Sequence, residues 1–456
     1  MTASGNAYSL EEQIDQWRSY LRRRQAIQSV DVAELEDHLR EQVEVLIHAG
    51  LATDEAFLVA VKRLGDLDSL SREFAREHSD RLWKQLVAVG ADANEAAATA
   101  RTEAMMAFGF AVAAGVAVKA PALFGMPLNT NASFYARNAS LFTLPLLTAF
   151  FAWKRRLDVG TLVRLLLAFA AAGIVANMYP LVSRGSNEVL TAMHLPIALW
   201  LAVGIAYAGG RWNQAARRMD FVRFSGELFI YYVLIALGGI LLTAFMAAIF
   251  EAIGIKIEIF FQTWMLPCGA AGAVIIASWL VEAKQSVIEN MAPVLTRLFT
   301  PLFAAVLIAF LVTLLWTGRG VVHDRTVIIA FDAILALVLA LLLYSVSARD
   351  PRAPAGAFDA LEVVLVGSAL VADVVALWAI AARISEFGFS PNRVAALGGN
   401  LILLVNLAWS AVLYLRFLRG RGTFAQLERW QTNYLPVYAT WAAFVVVAFP
   451  PLFRYI

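Results

Sequence analysis

The sequence predicts an all-α membrane protein: a small cytoplasmic four-helix domain, then a polytopic transmembrane bundle of about eleven spans. Three observations predict it. From Ala104 to Phe449 long apolar runs alternate with short polar loops. A bilayer core about 30 Å thick takes roughly 20 apolar helical residues to cross, and Leu228–Phe250 and Val327–Val346 meet that length. Of the 456 residues 60% are hydrophobic and only 16% charged, with a mean hydropathy of +0.66; soluble domains carry about 25% charged residues. The net charge of +2 hides an asymmetry, because Asp and Glu are dense before residue 90 and sparse after it.

The single cysteine, Cys268, sits in an apolar run. It excludes an internal disulfide or a CxxC metal site and reads as a small core residue. The first apolar span begins about a hundred residues in. A cleavable signal peptide is therefore not expected, and that span would act as an internal signal-anchor.

In the front domain, residues 1–90, Ser9 and Glu12 have capping-box spacing. Ile14, Trp17 and Leu21 continue an apolar helical face. A second helix is predicted over about Val32–His48, with Leu35, Leu39, Val43 and Leu46 on one face and Gly50 at the left-handed C-terminal position. Thr53 caps a third, Glu55–Leu64, and Asp66 a fourth that runs toward Trp83. Residues 91–103 are Ala-rich and read as a helical linker into the transmembrane domain, residues 104–456.

The segments Leu35-Glu36-Asp37-His38-Leu39-Arg40, His48-Ala49-Gly50-Leu51, Glu55-Ala56-Phe57 and Arg63-Leu64-Gly65-Asp66 together resemble the permease-prefix domain of bacteria. That helical module precedes various membrane proteins, permease subunits of ABC-type exporters among them. The resemblance covers roughly residues 10–80. It implies a regulatory or interaction module and a protein partner for residues 1–90. His38 and His48 are ten apart and lack partner ligands, so they read as helix-surface or capping residues.

Eleven spans are predicted: 104–125, 138–153, 159–181, 191–209, 226–249, 259–281, 299–317, 326–347, 359–382, 394–416 and 434–450. One set of alternate loops, holding Lys154, Arg155, Arg156, Arg349 and Arg419, carries about twice the Lys and Arg of the other. The positive-inside rule then puts the N-terminus in the cytoplasm and the C-terminus outside. Glu282–Arg297 is amphipathic and either lies along the interface or extends the sixth span. The outer loop ends in Gly388, Pro391, Asn392 and Arg393. With Asn400 and Asn406 behind it and Glu428–Gln431 later, it resembles the domain of unknown function 4153 family over about residues 225–450. That resemblance implies no activity. The two resemblances together imply a bacterial inner membrane.

Charges inside a bilayer default to a functional hypothesis. Glu227, Glu362 and Arg164 fall near predicted inner span ends, where they can snorkel. Lys119, Asp332 and Asp373 fall deeper in the outer half. They are expected to form one ion-paired cluster, which either fixes packing or holds a proton or cation. No phosphate loop, HExxH helix or GxSxG elbow occurs. No catalytic residue, metal or cofactor is therefore expected, and no nucleic-acid partner; the bilayer itself is the expected environment. Ala113–Gly115 and Gly238-Gly239 read as helix-packing small residues. Two functional readings follow. One is a non-enzymatic protein that senses or regulates at the envelope through partners. The other is a secondary transporter using the region of Asp332 and Asp373.

Overall fold

The structure is a computed structural model and describes residues 10, 11, 14, 29–63, 92–252, 258–283, 291–317, 325–351 and 353–456. Among these residues it is all-helical. The chain divides into two compact units, Met1–Thr102 and Glu103–Ile456.

In the first unit, helices α1 (Ser29–His48) and α2 (Thr53–Arg63) form an antiparallel pair. Leu39, Val43 and Leu46 of α1 close on Ala56 and Ala60 of α2, with Ile14 completing the apolar cluster. The α1 C-terminus is the predicted one. Gly50 has φ +95°, Leu51 N–H donates to the Leu46 carbonyl at 3.2 Å, and Gly50 N–H donates to Ile47 at 3.0 Å. This pair of bonds satisfies end carbonyls through a left-handed glycine. The first and fourth predicted helices lie outside the described residues, apart from Leu10, Glu11 and Ile14.

The predicted linker and first span are one helix, α3 (Asp92–Leu123). Then follow α4 (Ala132–Lys154), α5 (Val159–Met178), α6 (Ser186–Tyr207) and α7 (Ala215–Ala252). A π-helical turn, Phe261–Met265, leads into α8 (Leu266–Ala283). The rest are α9 (Met291–Thr317), α10 (Arg325–Ala348), α11 (Ala357–Phe387), α12 (Pro391–Leu418) and α13 (Phe424–Leu452). Ten of these helices are long and apolar enough to cross a bilayer, so this is an integral membrane protein. The remaining predicted span, the second, lies within α4 and falls below that hydropathy because Arg137, Asn138, Ser140 and Thr143 interrupt the helix's apolar run. Of these, Asn138, Ser140 and Thr143 are buried. Asn138 and Asn177 of α5 exchange amide hydrogen bonds at 2.9 and 2.7 Å, which removes the cost of burying the Asn138 amide.

Several helices outrun the predicted spans. At 1.5 Å per residue the 38 residues of α7 measure about 57 Å. Hydropathy marks only the part in contact with the hydrocarbon.

Two apolar cores organise the bundle. The first gathers α3, α4, α5, α6, the N-terminal part of α7 and α8 around Phe150, Phe151, Phe224 and Ile275. The second gathers α9 to α13 around Phe331, Leu365, Ala372 and Tyr414. Helix α13 joins them, packing on α6, α7 and α12. Close approach of α3 and α8 depends on small residues. A methyl at Gly115 would meet Cys268 at 3.3 Å, and one at Gly272 would meet the Ala111 carbonyl at 3.3 Å. Gly238 and Gly239, also predicted to pack, face nothing within 4 Å. The expectation at 282–297 falls partly outside the described residues: α8 ends at Ala283 and α9 starts at Met291.

Candidate functional site

Helix α11 is the axis of the second core. Glu362, Leu365, Val366, Ala369, Ala372, Asp373, Ala376, Ala379 and Ile380 form one buried stripe at three- and four-residue spacing. The alanines let α9, α10 and α12 close in. The two acids share that stripe, so the same packing carries them inside.

Asp373 is 0% exposed, and among the described residues neither carboxylate oxygen has a hydrogen-bond partner. The charged group acting on it is another acid, Asp332 of α10. Asp332 is half-buried and accepts from the Asn400 amide of α12 at 2.8 Å. Counted from the α11–α12 turn, Asp373 lies about 21 Å back along α11 and Asn406 about 22 Å along α12. Asn406 is fully buried and donates to Gln431 of α13 at 3.1 Å; Gln431 donates to Ser410 at 2.7 Å, and Ser410 to the Asn406 carbonyl at 2.6 Å. This second polar group is closed on itself.

Nearer the other end of α11, Glu362 is 1% exposed. Thr300 donates to one of its oxygens at 3.2 Å, and the second oxygen lacks a partner. Glu362 was expected to snorkel. It is buried instead, as is Glu227, because the helix walls of the bundle continue past the end of the apolar run. Arg164, by contrast, is exposed and bonds the Gly160 carbonyl and Thr161 hydroxyl, as a snorkelling residue would.

The predicted cluster divides. Asp332 and Asp373 belong to the second core. Lys119 of α3 instead donates to the Thr263 carbonyl in the π-helical turn and lies 4.2 Å from the centre of the Trp264 ring. Two residues beyond the turn is Pro267, which has no N–H to offer the Thr263 carbonyl four residues back. The lysine therefore found a backbone acceptor, which no side-chain pattern advertises, and it does not neutralise the acids.

Gly388, Pro391, Asn392 and Arg393 make a turn clamp. Gly388 caps α11 with φ +74°, and Pro391 starts α12 behind the Ser390 cap. Arg393 donates to the carbonyls of Phe387 and Gly388 at 3.1 and 2.7 Å and stacks on Phe387. Asn392 donates to Ser186 at the start of α6, at 3.1 Å. These contacts join α11, α12 and α6 at one end and touch neither acid.

At the opposite end of α11 the second core is closed by Arg349. It donates to Asp359 at 2.7 and 3.0 Å and lies over the rings of Phe417 and Phe424. The first core has a counterpart: Lys154 and Arg155 converge on Glu282, at 3.4 and 2.8 Å, and Lys154 also pairs with Glu103 at 3.0 Å. Among the described residues no group of three His, Cys, Asp or Glu could hold a metal ion.

Comparison with protein-family models, with curated proteins and with solved structures returned no match.

Proposed function

We propose that this membrane protein is a secondary transporter or permease in which Asp373, with Asp332 and Asn400, forms a proton- or monovalent-cation-binding site. One observation carries the reading: a fully buried carboxylate in the bundle with no partner on either oxygen. An ionised acid there would go uncompensated at a cost of several kcal/mol, so it must hold a proton or a cation. Asp332 is half-buried and bonded through one oxygen only by Asn400, which makes it the step between Asp373 and the outside. The bundle sits in a bacterial inner membrane with its N-terminus in the cytoplasm, and residues 1–90 are a permease-prefix-like regulatory module.

The competing reading, a regulator acting only through partners, makes no use of Asp373. Purified protein in proteoliposomes is given a proton or sodium gradient and a defined mixture of amino acids, sugars, nucleosides and organic cations, and accumulation is read by mass spectrometry. Infrared spectra of the same samples follow the carboxyl bands. Wild type should accumulate at least one solute, and Asp373→Asn should accumulate none and lose a carboxyl band that responds to pH or sodium. No accumulation by wild type, with spectra identical to those of Asp373→Asn under every condition, overturns the reading.

A further inference from the structure

The first core contains two adjoining cavities, of about 870 and 1010 Å³. Ligand pockets run to roughly 300–1,000 Å³. They share Leu128 and Tyr135 in their walls, and consecutive residues of α3, Val118 and Lys119, line one each. Among the described residues the only cation in either lining is Lys119, in the larger cavity. The smaller is a sleeve of aromatic rings, including Trp200, Trp212, Phe221 and Tyr232. The sleeve opens on the outer surface of the bundle, where Ala139, Ile197 and Ala270 are exposed along its wall.

The polar groups in these walls are ordered by depth. Lys119 is four residues from the end of α3, about 6 Å from that end. Ser140 is eight residues into α4, which starts on the same side, so it lies about 12 Å deep. Among the described residues its hydroxyl has no partner, nor does that of Tyr438 in the same wall, and both oxygens are buried. Lys119 spends one N–H on the Thr263 carbonyl and has three. Among the described residues no carboxylate pairs with it within salt-bridge distance.

We infer that this groove holds one anionic phospholipid of the surrounding bilayer, its phosphate on Lys119 and an acyl chain along the aromatic sleeve. A cation without an anion at headgroup depth and apolar, aromatic walls below it match such a lipid in order. A zwitterionic lipid would bring its own cation against Lys119. A free anion would leave the sleeve empty.

Native mass spectrometry of the full chain, released from micelles supplied with dioleoylphosphatidylglycerol or dioleoylphosphatidylcholine, tests this. Wild type should retain one phosphatidylglycerol with at least a ten-fold preference over phosphatidylcholine. Lys119→Gln should lose the preference, Lys119→Arg should keep it, and Ala270→Phe, which fills the sleeve from its exposed edge, should reduce retention of the lipid. Equal retention of both lipids by wild type overturns the assignment, as does unchanged preference in Lys119→Gln. Full retention in Ala270→Phe overturns the acyl-chain placement and with it the inference. If Lys119→Gln does not fold, the Lys119→Arg and Ala270→Phe results still decide.

Discussion

The two cores are built from the same apolar residues but treat polar groups differently. In the first, the buried amide of Asn138 is satisfied by Asn177, and the Glu282 carboxylate at its end meets two cations. In the second, Arg349 closes one end on Asp359 while Asp373 stays unpaired and Glu362 is half-satisfied. A buried polar group without a partner costs about 1–3 kcal/mol, more if charged. On the proposed function, such a group at the centre of a tightly packed stripe marks the core that exchanges a proton or cation. The core whose Asn138 amide and Glu282 carboxylate are paired is, on the same reading, the scaffold.

The largest effect that would sharpen this contrast comes from Arg349→Ala. Asp359 is 3% exposed, and losing its bidentate partner leaves a buried charge, at a cost of about 3–5 kcal/mol. A large fall in the thermal midpoint of the detergent-solubilised protein is expected, and a change under a degree would show that this end is not a clamp. Asn138→Leu comes next. It removes both Asn138–Asn177 bonds, leaving Asn177 its bond to the Gly173 carbonyl, and should cost about 1 kcal/mol per bond lost, read in the same assay. Asp373→Asn is predicted to change stability by less than about 1 kcal/mol, since no protein partner is lost. If Asp373→Asn destabilises more than Asn138→Leu, the two cores do not differ as described.

The smallest effect is at Asp158, ahead of α5 and outside its apolar span. It accepts from the Thr161 N–H at 2.9 Å. Bonds from the Thr161 hydroxyl and N–H hold its carboxyl below the usual 3.8. A lowered carboxyl contributes stability above its ordinary value and loses it as pH falls through the folded value. Hydrogen exchange at the Thr161 amide should therefore be protected at neutral pH and speed up below about pH 3.8. Asp158→Ala should remove that protection at every pH. Protection unchanged in the variant would show that the cap is not what holds this turn.

Much of the fold was legible in the sequence. Apolar runs located the bundle, and the Gly50 and Ser390-Pro391 signals located helix ends, because both depend on local chemistry. Asp373 was legible as a candidate because its depth follows from helix rise alone. The partner of Lys119 was not, since a carbonyl opposite a proline-interrupted turn 144 residues away leaves no mark in side-chain spacing. The burial of Glu362 was missed for a related reason: hydropathy reports contact with lipid, and protein walls extend beyond it. The span in α4 was expected to be short because its polar residues read as a boundary, whereas Asn177 on a neighbouring helix lets the helix carry them inside.

The Lys119–Thr263 contact also bears on how the protein is made. Helix α3 enters the membrane before its acceptor exists. At 5–20 residues per second, the 144 residues between them take roughly 7 to 30 s to synthesise. Throughout that interval the ammonium must be solvated from elsewhere, and its place about 6 Å from the helix end lets it reach the headgroup region. The π-helical turn arrives late and captures a side chain already waiting at the membrane edge. Moving the lysine one or two turns deeper would leave it in hydrocarbon for the whole wait, so its depth is fixed as much by the order of synthesis as by the finished bundle.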